Sequence, residues 1–274
     1  MTKLSFSNIA WDVSEDNQVA ALLNQYQCDA IDIAPGKYFP DVVNATDEQI
    51  KTVSGWWRER GISIVGMQSL LFGTQGLNLF DAADVRQRML THLEAVCRIA
   101  AGLGATRLVF GSPKNRDRKN LSDQQVATTA IDFFRALGDI ASKYSVIICL
   151  EPNPACYGAN FMTTTHETAE VVMGVNHSAI RMQFDTGAVT INNENPLALL
   201  AQYHQLIGHI HISEPGLVPA GMGEGDHPGF SQAISRYLSS DYATIEMLAT
   251  EQQPHLQAIE KALAFVTTHY GAIR

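Results

Sequence analysis

Charge is scarce in this chain, and basic charge scarcer still. Of the 274 residues only 17% are charged, and 19 Lys and Arg stand against 28 Asp and Glu, a formal net charge of -9. Such a field repels a phosphate backbone and argues against a nucleic-acid partner. No apolar run approaches the ~20 residues of a transmembrane helix, which argues against a membrane partner. The four cysteines, Cys28, Cys97, Cys149 and Cys156, lack C-x-x-C spacing, so they read as free thiols in a reducing compartment rather than as disulfides. An Asp arrives at position 12, too early for the apolar segment of a signal peptide, and the expectation is a cytoplasmic protein. Missing too is a Gly-rich phosphate turn after the first strand. N-I-A-W-D-V-S-E stands there instead, which counts against a doubly wound nucleotide-binding sheet.

What the chain does have is a repeated way of ending its apolar runs. I-I-C-L-E-P-N-P stops abruptly at Glu151 and then in prolines, the pattern of a buried strand giving way to loop. R-M-Q-F-D-T-G stops at Asp185, I-G-H-I-H-I-S-E-P turns polar at His211, and Y-A-T-I-E-M-L is interrupted at Glu246. Their spacing, about 34, 26 and 35 residues, suits one strand, one helix and two loops. Side chains at the C-terminal strand tips of a β/α barrel converge on one mouth, so two Glu, one Asp and one His form a metal-ligand set. Three carboxylates around one point repel one another unless a cation compensates. Oxygen and imidazole donors without thiolate point to one divalent ion, Mn²⁺ first, with Mg²⁺, Co²⁺ or Zn²⁺ compatible. Any one of these acids alone reads as readily as a cap on the next helix; the set of four is what points to a metal.

Strand patterns fall at residues 4–10, 28–34, 62–68 and 105–111, in the run ending at Glu151, and at 180–185, 206–212 and 242–248. Helical patterns lie between and after them: 15–26, a stretch from Thr46 to before Gly61, 81–103, 121–144, 163–175, 196–203, 230–238 and 254–269. Thr46 with Gln49 has capping-box spacing, and Ser122 and Asp123 stand as cap residues. Eight strands alternating with eight helices, with no composition break, predict an α/β fold: a single (β/α)8 TIM barrel over residues 1–274, close to the ~250 residues typical of one.

At this point the sequence resembles the xylose-isomerase-like TIM barrels, which include sugar and sugar-phosphate isomerases and epimerases. The resemblance spans nearly the whole chain, through I-A-P-G-K-Y, Q-S-L-L-F-G, V-F-G-S-P-K-N-R, E-P-N-P, Q-F-D-T-G, H-I-S-E-P and T-I-E-M. It implies that Glu151, Asp185, His211 and Glu246 are the metal ligands. Similarity to ketose 3-epimerases implies a metal-dependent isomerase or epimerase on a sugar or sugar phosphate, moving a proton alpha to a carbonyl by way of an enediolate. Glu151 and Glu246 would be the catalytic pair, one removing the proton and the other returning it. Barrels of this kind often pair, so a homo-oligomer is open. The chain departs from the family pattern at Ala188, where a His often follows the metal Asp, and around Cys156 and Leu217, where a Glu and an Arg are common.

Further substrate contacts are expected from the strand exits. Lys114 and Arg116 are a candidate cation pair for a phosphate or carboxylate, although Arg118 and Lys119 extend the run as a solvated loop would. Gln68 and Gln183 suit sugar hydroxyls or the orientation of ligands. Lys37 at the second strand's exit and His227 in G-E-G-D-H-P are candidates to face the substrate, and Trp11, Phe72 and Tyr157 to wall it. Three other functions compete: a metal-dependent lyase or dehydratase on a hydroxy-ketone, a DNA repair enzyme like endonuclease IV, and a non-catalytic sugar-binding barrel. The repair enzyme needs further His and Asp ligands, where this chain offers Gln68, Ser112 and Ala188.

Overall fold

The computed structural model describes residues 3–239 and 242–271, and Met1 and Thr2 of the segment read above for a leader lie outside them. Eight parallel strands close into a barrel in sequence order: β1 (Lys3–Ser7), β2 (Ala30–Ile33), β3 (Ser63–Met67), β4 (Arg107–Phe110), β5 (Ile147–Leu150), β6 (Ile180–Asp185), β7 (Ile207–Ser213) and β8 (Tyr242–Glu246). Closure comes from β8 pairing with β1, Ile245 opposite Phe6. Outside lie α1 (Asp16–Gln25), α2 (Pro35–Tyr38), α3 (Asp47–Arg58), α4 (Ala83–Leu103), α5 (Asp123–Lys143), α6 (Thr165–Val175), α7 (Thr186–Ile191), α8 (Pro196–Tyr203), α9 (His227–Tyr237) and α10 (His255–His269). The expected TIM barrel is thus present.

Local chemistry explains the helix bounds. Thr46 and Ser122 both form full capping boxes with Gln49 and Gln125, and α4 ends on Gly104, whose φ of 89° is the left-handed stop expected after a helix. The strands are buried on both faces, and the helices cover them with one continuous apolar cluster that includes Phe110, Phe134, Leu137 and Ile259. Cys28, Cys97 and Cys149 sit in that interior, where burial pushes their thiols up to about 12; all four cysteines are free and Cys156 is exposed.

Several bounds differ from expectation. The first strand ends at Ser7 because its hydroxyl accepts from the Ile9 amide and opens a 3-10 turn. The last ends at Glu246 because the Leu248 and Ala249 amides turn to Leu217 O and Ile9 O on neighbouring loops. α9 starts earlier than expected, at His227, since Asp226 accepts from Gly229 and Pro228 occupies the first turn. Short helices α2 and α7 have too few residues to show a 3.6-residue pattern, and both begin at strand exits on the mouth. Among the described residues no helix is long and apolar enough to cross a membrane.

Candidate metal centre and active site

Four side chains meet at the C-terminal mouth, and strand register is what brings them together. Asp185, the last residue of β6, pairs with His211 within β7, and Ser213 at the end of β7 pairs with Glu246 at the end of β8. Glu151 follows β5 directly, its amide still donating to Phe110 O at 3.1 Å. One potential ligand atom from each of Glu151, Asp185, His211 and Glu246 lies within 4.8 Å of all the others. His211 Nδ1 is 3.1 Å from Glu246 Oε2 and 3.6 Å from Glu151 Oε1.

Each head is held by a group of its own. Gln68 donates to Glu246 Oε1 at 2.6 Å, and Asn153 to Glu151 Oε2 at 3.0 Å. Asp185 accepts from Ser213 Oγ at 2.8 Å and from the Ala188 amide at 2.6 Å, so it caps α7 while facing the cluster. Capping and cluster membership therefore coexist in one carboxylate. Gly111 makes room: a Cβ there would sit 2.0 Å from Glu151 Oε2. Gln183, with its amide set to suit its neighbours, accepts from the His211 amide at 3.0 Å and donates to His209 O at 3.3 Å.

The electrostatics of the cluster fit a cation. Burial, then the charges of Glu151 and Glu246, raise the Asp185 carboxyl to about 7. Burial would lower the His211 imidazole, but Glu246, Asp32 and Glu151 hold it well above its ordinary 6.5. Protons thus stand in for missing positive charge. A divalent ion would supply that charge to a donor set of carboxylate oxygens and imidazole nitrogen, which suits such ions. The buried Gln68 Oε1 has no protein partner beside it.

Beneath this layer lies a second one that sequence reasoning missed. Asp32, fully buried in β2, accepts from Thr244 Oγ1 at 3.0 Å, contacts His209 Nε2 at 2.7 Å, and lies 3.7 Å from His211 Nε2. Burial would raise its carboxyl, but His209 above all holds it below its ordinary range. Its room comes from Gly66, where a Cβ would approach Asp32 Oδ1 to 2.4 Å. The available signal was periodicity: His209 and His211 are two apart on one strand and so share a face.

A cavity of about 700 Å³ opens above the cluster, lined by Glu151, Asp185 and Glu246 together with Gln68, Lys37 and Lys114. Lys37 has its ammonium on the backbone carbonyls of Asn8 and Trp11. Lys114 is exposed at the rim. Phe72 and Tyr157 line the cavity as expected of wall residues, whereas Trp11 is buried and donates to Asp16. Arg116 is corrected: it is wholly buried, its terminal nitrogens donating to Glu151 O and Asn153 Oδ1, so the expected pair with Lys114 does not form at the cavity. His227 is corrected likewise. It is buried between Glu214 Oε1 at 2.9 Å and the Tyr270 hydroxyl at 2.8 Å, pinning the seventh loop instead of facing a substrate.

A sequence profile of xylose isomerase-like TIM barrels matches residues 20–269. The chain belongs to that family. Similar solved structures of this architecture include D-psicose 3-epimerase with D-tagatose from Clostridium cellulolyticum H10, at 15% identity and TM-score 0.79, covering 98% of this chain and 99% of that one. The 3-keto-D-glucoside 4-epimerase YcjR from E. coli is 17% identical with a TM-score of 0.78, covering 98% and 100%. The IolI protein with a bound zinc atom is 17% identical with a TM-score of 0.78, covering 100% and 99%. At these identities the likeness is one of fold. No curated protein matches significantly in sequence.

Proposed function

We propose that this chain is a divalent-metal-dependent isomerase or epimerase that moves a proton alpha to the carbonyl of a small ketose or ketose phosphate. The observation that carries the reading is the convergence of Glu151, Asp185, His211 and Glu246 at the barrel mouth, where Glu151, Asp185 and Glu246 line a cavity of about 700 Å³. Glu151, Asp185, His211 and Glu246 would hold the ion, Mn²⁺ by the balance of oxygen over nitrogen donors. When bound, it polarises a ketone and acidifies the neighbouring C–H.

The chain's own groups supply the rest. Glu246 and Glu151 enter the cluster from β8 and β5, three strands apart around the rim, and serve as the two proton carriers. Gln68 keeps one Glu246 oxygen directed by its 2.6 Å bond, and Asn153 does the same for Glu151. Gln183 orients His211 from the backbone side, and Gln68 lines the cavity beside Glu246. Lys37 contributes a half-buried positive charge at the wall, and Lys114 an exposed one at the rim for an anionic group. The similar proteins named above as a psicose and a ketoglucoside epimerase support a sugar substrate for this chain.

The test is Mn²⁺-loaded protein incubated with a panel of ketoses and ketose phosphates in deuterated water, read by NMR. Deuterium entering the α-carbon with formation of the epimer is the expected result, lost in Glu246→Gln while Mn²⁺ stays bound. Stoichiometric loss of water would assign the chain to a hydroxy-ketone lyase instead. Absence of exchange on every member of the panel would leave a binding protein.

A further inference from the structure

The cavity is polar at its floor and apolar higher up. Around its walls the protein has already engaged most hydrogen-bonding groups. Lys37 is held by two backbone carbonyls, Ser112 by Asn115, Asn153 by Glu151 and Arg116, and Glu214 by Gly221, Gly225 and His227. A free ketose carries a hydroxyl on nearly every carbon, and burying those against walls with few unengaged partners forfeits affinity. Meanwhile large apolar side chains lie open at the same cavity: Phe72 is 83% exposed, Leu248 48% and Tyr157 44%. Folding gains little from them there, and exposed apolar surface at a cavity marks a place where something binds.

This wall is built. The Leu248 amide donates to Leu217 O at 2.9 Å and the Ala249 amide to Ile9 O at 3.1 Å, lacing the exits of β8, β7 and β1 together. The Gly216 amide donates to the Tyr157 hydroxyl oxygen at 2.7 Å, which ties the fifth loop to the seventh and fixes the ring against the wall. Leu217 is held at a φ of 53°, a conformation that a leucine adopts only when its surroundings insist.

We infer that the outer part of the cavity is a subsite for an apolar group carried by the sugar, an aryl or alkyl substituent on a hydroxyl remote from the carbonyl, which leaves the ketone free for proton transfer, seated against Ile9, Phe72, Tyr157, Leu217 and Leu248. The inference rests on the metal-centre reading, since the wall is continuous with the cluster in one cavity of about 700 Å³. That volume is in the range of sites for drug-sized ligands and exceeds what a bare hexose fills.

Hydroxamates separate the two readings, because they grip a divalent ion through two adjacent oxygens whatever the sugar is. Mn²⁺-loaded full-length protein is titrated calorimetrically with acetohydroxamate and with 3-phenylpropionohydroxamate. The phenyl compound is expected to bind at least about tenfold tighter, and the double variant Phe72→Ser/Leu248→Ser to cut that ratio below about threefold. Both positions are exposed, and a thermal melt checks that the variant folds. A ratio near one in the native protein, or a full ratio kept in the variant, overturns the subsite while leaving the metal centre standing. If neither hydroxamate binds, the metal-centre reading itself fails and the subsite with it. Light scattering completes the test: a native dimer that the double variant converts to monomer would show the wall to be covered by a second copy, which also overturns the subsite.

Discussion

A protein stripped of divalent ions by chelation and unfolded in urea at pH 5 and at pH 8 should be less stable at the higher pH. Asp185 is the reason. Its carboxyl is raised from an ordinary 3.8 to about 7 in the folded state, first by burial and then by Glu151 and Glu246. The folded protein therefore holds this proton more tightly than the unfolded chain does. Stability falls as pH rises through that interval, by a few kcal/mol between pH 5 and pH 8. His211 acts in the same direction: raised well above 6.5, it gives stability at low pH that is lost as pH climbs through its folded value. With a urea slope of about 2–3 kcal/mol/M, Asp185 alone moves the midpoint by about 1 M. Saturating Mn²⁺ replaces the protons, so it stabilises more at pH 8 than at pH 5 and flattens or reverses the trend, adding about 2.7 kcal/mol at a hundredfold excess over Kd. Asp185→Asn keeps an oxygen for the Ala188 amide while removing the titration, and its chelated form should lose a few kcal/mol less over the same range. A chelated Asp185→Asn protein that tracks the native pH trend, or a native trend indifferent to Mn²⁺, would refute the reasoning.

Gly111→Ala places a methyl 2.0 Å from Glu151 Oε2 and should lower Mn²⁺ affinity by at least about tenfold in calorimetry, since the carboxylate must leave the cluster. Gln68→Leu removes the 2.6 Å donor to Glu246 and should weaken Mn²⁺ binding or turnover by about 10–100-fold; unchanged values in both assays would show that Glu246 needs no such support. Arg116→Met strips the donors from Glu151 O and Asn153 Oδ1 in a fully buried place, and should cost about 3 kcal/mol, read as a fall in Tm of about 5–10 °C in calorimetric melts.

The barrel and its mouth were legible in sequence because their signals are local. A buried parallel strand is an apolar run, a cap is a fixed spacing, and a charged residue ending such a run marks the rim whatever the rest of the molecule does. Hence the order of strands, the capping box at Thr46, the cap at Ser122, and the four residues Glu151, Asp185, His211 and Glu246 were all within reach. Short helices α2 and α7 were not, since they have too few residues to show a period. Side-chain direction was not legible either. Lys114 and Arg116 sit two residues apart in one 3-10 turn, yet one is exposed at the rim and the other lies buried beneath Glu151. Only tertiary packing decides that, because the choice depends on where a neighbouring loop leaves acceptors. The same holds for His227, captured by Glu214 and Tyr270, and for Asp32, whose space exists because β3 carries a glycine opposite it. Sequence by itself determined which residues reach the mouth; packing determined which of them remain free to meet a ligand, because a polar head left in the interior takes whatever hydrogen-bond partner lies within reach.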